Sequence, residues 1–114
     1  DDGRYGASLD GRVGSINVEI KCPLAPVAVE YLMRIADGET PAAYRPQMHM
    51  QMLVADAEAC DFVVFHPHLP LGVLRVEHDA EWDEILLRAI GECIAERDRA
   101  FEVLREIAGL QEAA

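Results

Sequence analysis

The sequence predicts one α/β domain, a mixed β-sheet flanked by helices, and three observations carry that expectation. Strand-like runs at residues 16–21, 60–65 and 71–76 are interleaved with helix-compatible runs at 26–36, 42–57 and from Asp79 onward. The chain has 114 residues, 51% of them hydrophobic, which suffices for a single modest core and is too short for two domains. No apolar run approaches the roughly 20 residues that span a bilayer, and no basic segment followed by an apolar one opens the chain. The element order is therefore strand, strand, helix, helix, strand, strand, helix, in a soluble cytoplasmic protein.

The first clear strand is Ile16-Asn17-Val18-Glu19-Ile20-Lys21, ended by Cys22-Pro23 because proline has no N–H for a ladder. Alternation assigns Ile16, Val18 and Ile20 to the core face and Asn17, Glu19 and Lys21 to the other. Upstream, Tyr5 to Leu9 reads as a further short strand leading to Asp10, with Gly11 and Gly14 supplying the freedom for a reversal. A reversal near Gly14 sets Asp10 opposite Glu19, with Cβ atoms roughly 5 Å apart. Two carboxylates that close, with Lys21 beside them, call for a pKa shift or a hard divalent cation. Taken singly, Asp10-Gly11 is more often a turn and a Glu-x-Lys pair more often a solvated face.

A helix is expected from Pro26 to Ala36, with Pro26 in its first turn and Gly38 at its stop, followed by a mobile loop through Pro41. Residues 42–57 are helical in pattern provided Pro46 lies in the first turn. Tyr44, Gln47 and Gln51 then share a face, His49 points elsewhere, and Met48, Met50 and Met52 fill the core. Cys60 to Phe65 has the composition of a buried central strand. His66-Pro67-His68 has zinc-ligand character but no third ligand in sequence reach. Leu71 to Val76 is a further strand on which Arg75 is expected to be solvated. In the last helix Trp82, Ile85, Leu86, Ala89, Cys93, Ala100, Phe101 and Leu104 form an apolar stripe assigned to the core.

Ser8-Leu9-Asp10-Gly11, then Val18-Glu19-Ile20-Lys21-Cys22-Pro23, then Tyr44-Arg45-Pro46-Gln47 opening a Met-rich helix together resemble the phage lambda exonuclease and YqaJ-like viral recombinase family of PD-(D/E)XK nucleases. Leu9 stands where that family usually has proline. The resemblance covers most of the chain and implies a restriction-endonuclease-like core, with residues 1–114 as a single nuclease-like domain, the C-terminal portion of the family core. It implies Mg²⁺, for which Mn²⁺ can substitute, bound by Asp10, Glu19 and the Ile20 carbonyl. Lys21 and Gln47 are the further catalytic residues it implies. The implied activity is 5′-to-3′ exonucleolytic hydrolysis of linear duplex DNA in phage-type recombination, within the bacterial host cytoplasm. Implied partners are double-stranded DNA, further copies of the chain in a ring, and a single-strand annealing protein. The chain opens Asp1-Asp2-Gly3 without an initiator methionine and is read as a fragment or processed product. The family's upstream helices, which bring a further acidic ligand and contacts to a 5′-terminal phosphate, have no counterpart in it.

Composition opposes part of that picture. The net charge is −11, whereas affinity for a polyphosphate comes largely from Lys and Arg. Residues 77–114 carry 11 acidic and 4 basic side chains, so the acid is concentrated in the last helix; Arg4, Arg12, Arg34, Arg45 and Arg75 are scattered. The competing expectations are a non-catalytic acidic interaction domain derived from a nuclease, and a restriction or repair endonuclease of the same superfamily. Cys22, Cys60 and Cys93 are too few and too dispersed for a disulfide framework or structural zinc site and are read as buried thiols. P-loop and Ser/His/Asp patterns are absent from the sequence, so nothing in it suggests nucleotide-driven or acyl-transfer chemistry.

Overall fold

The computed structural model describes residues 5–113. Strands β1 (Gly11–Val13) and β2 (Ile16–Lys21) form an antiparallel hairpin across the turn Gly14–Ser15, with Gly11 opposite Val18 and Val13 opposite Ile16. Tyr5 to Leu9, expected as a strand, lies outside any regular element, so β1 begins just after Asp10. Arg4 and the opening Asp1-Asp2-Gly3 fall outside the described residues.

Next to β2 lies β3 (Ala59–Val64), and the two run parallel. A parallel pair needs a long crossover. Here α1 (Ala25–Ala36), a 3-10 turn (Ala42–Tyr44) and α2 (Arg45–Ala55) supply it. At the end of α1 the Gly38 N–H donates to the Ile35 carbonyl and the Glu39 N–H to Arg34, both at 2.9 Å, with Gly38 at φ +76°. That is a Schellman closure, which favours glycine at the left-handed residue. Pro46 sits in the first turn of α2, as its missing N–H requires. Strand β4 (Gly72–Glu77) returns antiparallel to β3, giving a mixed sheet in the order β1-β2-β3-β4.

The central strand decides which face is inside. Cys60, Phe62 and Val64 point toward the helices and are fully buried with Ala28, Met48 and Met52. The register places Asn17, Glu19 and Lys21 of β2 beside those three residues, on the same face. The assignment from alternation is thus corrected: Asn17 and Glu19 are buried beneath α2, while Ile20 is 44% exposed. An alternating strand has two faces but does not say which one its neighbours cover, and the apolar face of β3 outweighs three aliphatic residues of β2. Gly72 faces α1 at close range, since a Cβ there would lie 2.4 Å from Leu32 Cδ2.

On the opposite face Val73 is 50% exposed beside Val63, and Arg75 pairs with Asp61 through two hydrogen bonds of 2.9 and 3.0 Å. Arg75 is exposed, as expected, and is also bidentately paired; its hydrogen bonds hold Asp61 below the usual carboxylate range. Of the thiols expected to be buried, Cys60 is and Cys22 and Cys93 are exposed.

The last helix, α3 (Ala80–Ala113), has 34 residues, about 50 Å at 1.5 Å per residue, and makes the molecule 66 Å long. Trp82 at its base stacks on His49 of α2, with ring centroids 4.9 Å apart. Beyond that base its stripe is not core: Ile85, Phe101 and Leu104 are all exposed. Among the described residues no helix is long and apolar enough to cross a membrane.

Candidate active site

Glu19 is 3% exposed, on the helix-facing side of β2. A carboxylate at such depth is costly unless it is paired and hydrogen-bonded. Three donors meet it. Lys21 Nζ lies 2.9 Å from Oε1, because residues two apart on a strand share a face. Gln47 Nε2 donates to the same oxygen at 3.1 Å, and Gln51 Nε2 to Oε2 at 3.1 Å. The two amides are one helical turn apart on α2, so the helix presents both to β2.

Asp10 approaches from the hairpin. Continuing the β1–β2 register by one residue would set it opposite Glu19, but β1 stops at Gly11. Its Oδ2 instead accepts a hydrogen bond of 2.8 Å from the Ile20 N–H, beside Glu19 in the chain. Asp10, Glu19, Ile20, Lys21 and Gln47 are thus joined by a continuous set of contacts. One of the two Gln47 amide N–H groups is engaged by Glu19.

The Lys21 ammonium lies 4.2 Å from the centroid of the Tyr44 ring, in cation–π range. Tyr44 is held in turn by an edge-on contact with Tyr31, and their hydroxyls are 3.0 Å apart. That hydrogen bond raises the pKa of the Tyr31 phenol. Beneath the site the Cys60 thiol is pushed up to about 11, by burial first and by the Glu19 charge second, so it stays protonated at neutral pH. A protonated thiol is neither nucleophile nor metal ligand. The side-chain groups at this corner that could serve a metal are therefore oxygens.

Oxygen donors of this kind suit a hard divalent ion such as Mg²⁺ or Mn²⁺, and Asp10, Glu19 and the Ile20 carbonyl are the groups that could hold one. Two carboxylates alone do not complete a shell. Among the described residues no group of three or more His, Cys, Asp or Glu side chains is placed to hold a metal. His66 and His68 form no such site either: the His66 Nδ1 accepts the His68 backbone N–H at 3.1 Å.

Gln51 was the residue without an assigned role. The signal available for it was a polar amide on a helix whose neighbouring Met48 and Met52 are fully buried.

The model of the YqaJ-like viral recombinase domain matches residues 1–58, a span that contains Glu19 with its partners Lys21, Gln47 and Gln51. Among solved structures, the alkaline exonuclease LHK-Exo from Laribacter hongkongensis is similar at a TM-score of 0.81 and 31% identity, covering 91% of this chain and 55% of that one. LHK-Exo in complex with dAMP is similar at a TM-score of 0.80 and 31% identity, covering 91% of this chain and 54% of that one. The chain spans about half the length of the exonuclease it matches. No curated protein sequence matches it.

Proposed function

The chain belongs to the YqaJ-like viral recombinase domain family, and on that premise we propose that it is the metal-binding and catalytic portion of a deoxyribonuclease. The specific activity is Mg²⁺-dependent 5′-to-3′ exonucleolysis of linear duplex DNA in phage-type recombination. One observation supports it above the rest: a buried carboxylate, an ammonium and an amide converge, with a second carboxylate bonded to the adjacent backbone.

Asp10, Glu19 and the Ile20 carbonyl would hold the divalent ion, which when bound polarises the phosphate and makes water a better nucleophile. Lys21, set between Glu19 and the Tyr44 ring, positions the attacking water; as the free amine it takes up the water's proton, and the ammonium so formed balances charge developing on the phosphate. Gln47 keeps Glu19 in place, and Tyr44 keeps the lysine from folding away.

The family and the exonuclease likeness support nuclease chemistry on DNA. An acidic α3 with open apolar side chains instead favours a protein-interaction domain derived from a nuclease. A melting experiment separates the two. Mg²⁺ at about 100 times its Kd stabilises a binding protein by about 2.7 kcal/mol. We expect that rise in Tm for the parent and its loss in Asp10→Ala. Lys21→Ala should retain the rise while DNA cleavage falls about 10²- to 10⁴-fold. A parent Tm indifferent to Mg²⁺ would sink the nuclease in favour of the interaction domain. Degradation of linear but not circular duplex distinguishes an exonuclease from an endonuclease of the same superfamily.

A further inference from the structure

We infer that Gln51 is a positioning residue, whose amide sets the rotamer of Glu19 and its spacing from Asp10 so that the two can share one divalent cation. This rests on the metal-dependent function proposed above and assigns a part to a side chain outside the expected site.

Gln51 is 4% exposed, among methionines that fill the core. A primary amide at such a position is unfavourable unless its donors are met. Both N–H groups have acceptors: the Ser8 carbonyl at 2.8 Å and Glu19 Oε2 at 3.1 Å. Turning the amide over would put its oxygen against two acceptors, so its orientation is determined by its partners.

Each carboxylate oxygen offers about two acceptor directions. On Glu19, Oε1 takes Lys21 and Gln47, while Oε2 takes Gln51 alone. One direction on Oε2 is left over, and where it points depends on the angle at which Gln51 holds that oxygen. The second N–H of the same amide nitrogen donates to the Ser8 carbonyl, two residues before Asp10. Gln51 is therefore a brace between the segment that delivers Asp10 and the strand that delivers Glu19. Among the described residues, a second tie between these two near the site is the bond from the Ile20 N–H to Asp10. Partners that orient a metal ligand typically contribute 10- to 100-fold in metal affinity or activity.

The test is Mn²⁺ affinity by calorimetry and by electron paramagnetic resonance, well below the melting temperature, for the parent, Gln51→Met and Gln51→Asn. Methionine keeps length and fills the space, whereas asparagine keeps the amide but is too short to span both acceptors. Both should weaken Mn²⁺ binding about 10- to 100-fold. A merely structural role would lower Tm and leave the affinity of the folded protein unchanged. In the parent, the side-chain ¹H–¹⁵N pair of Gln51, identified by its absence in Gln51→Met, should shift on adding Mg²⁺. This signal needs no variant to fold well. Affinity within twofold of the parent in a folded variant, or a Gln51 signal unmoved by saturating Mg²⁺, overturns the positioning role while leaving the metal site standing. A parent that binds no Mn²⁺ overturns both.

Discussion

The two faces of the sheet invert the usual sorting of side chains. Toward the helices the sheet buries Asn17 and Glu19 beside Phe62 and Cys60; on the other face Ile20 and Val73 are half open, with the Asp61–Arg75 pair between the strands that carry them. The comparison teaches that burial here follows the central strand and the helices, and that polar residues of β2 are carried inside by register. Glu19 tolerates this because Lys21, Gln47 and Gln51 satisfy it. Asn17 has no such company: neither its Nδ2 nor its Oδ1 has a hydrogen-bond partner.

The contrast is sharpened most by truncating one residue on each face. Phe62→Ala, in the core against Tyr31 and Tyr44, should cost about 3–5 kcal/mol in denaturant unfolding. Val73→Ala, half exposed, should cost under about 1 kcal/mol. Equal losses would mean that the outer face is as well packed as the inner, and the comparison would collapse.

Next in size, and opposite in sign, is Asn17→Leu. Replacing an unpartnered buried amide by an apolar group of similar volume removes a desolvation penalty of about 1–3 kcal/mol, so the variant should gain stability. A loss would show the amide to be satisfied.

The smallest expected effect concerns pH. Burial lowers the pKa of His49, which stacks on Trp82. The unfolded chain then takes up a proton that the folded chain refuses. Stability is full above the ordinary value of about 6.5 and declines as pH falls through it toward the lowered pKa. His49→Phe, which preserves the stack, should flatten that decline when urea midpoints are compared at pH 7.5, 6 and 5. An unchanged slope would locate the pH dependence elsewhere.

Much of the local structure was legible in the chain. Pro23 ends β2, Pro46 opens α2 and Gly38 closes α1, each because one residue's covalent geometry forbids the alternative. Glu19 and Lys21 were also bound to share a face, since a strand repeats every two residues. The resemblance implied Gln47 as a catalytic residue, but its contact with Glu19 was not in that expectation, and spacing says nothing about contacts 28 residues apart.

Three outcomes belonged to the tertiary structure alone. Which face of β2 is inside depends on the partner strand, and Ile16, Val18 and Ile20 carry no information about β3. The apolar stripe of α3 signals a helix, yet among the described residues much of it, from Phe101 on, stays exposed, because the sheet and α2 end before the helix does. Gln51 acquires its two acceptors only when the hairpin and α2 meet, 32 and 43 residues apart in sequence. Sequence settles what a residue's own bonds and nearest neighbours enforce; contacts between distant segments exist only once the chain has closed upon itself.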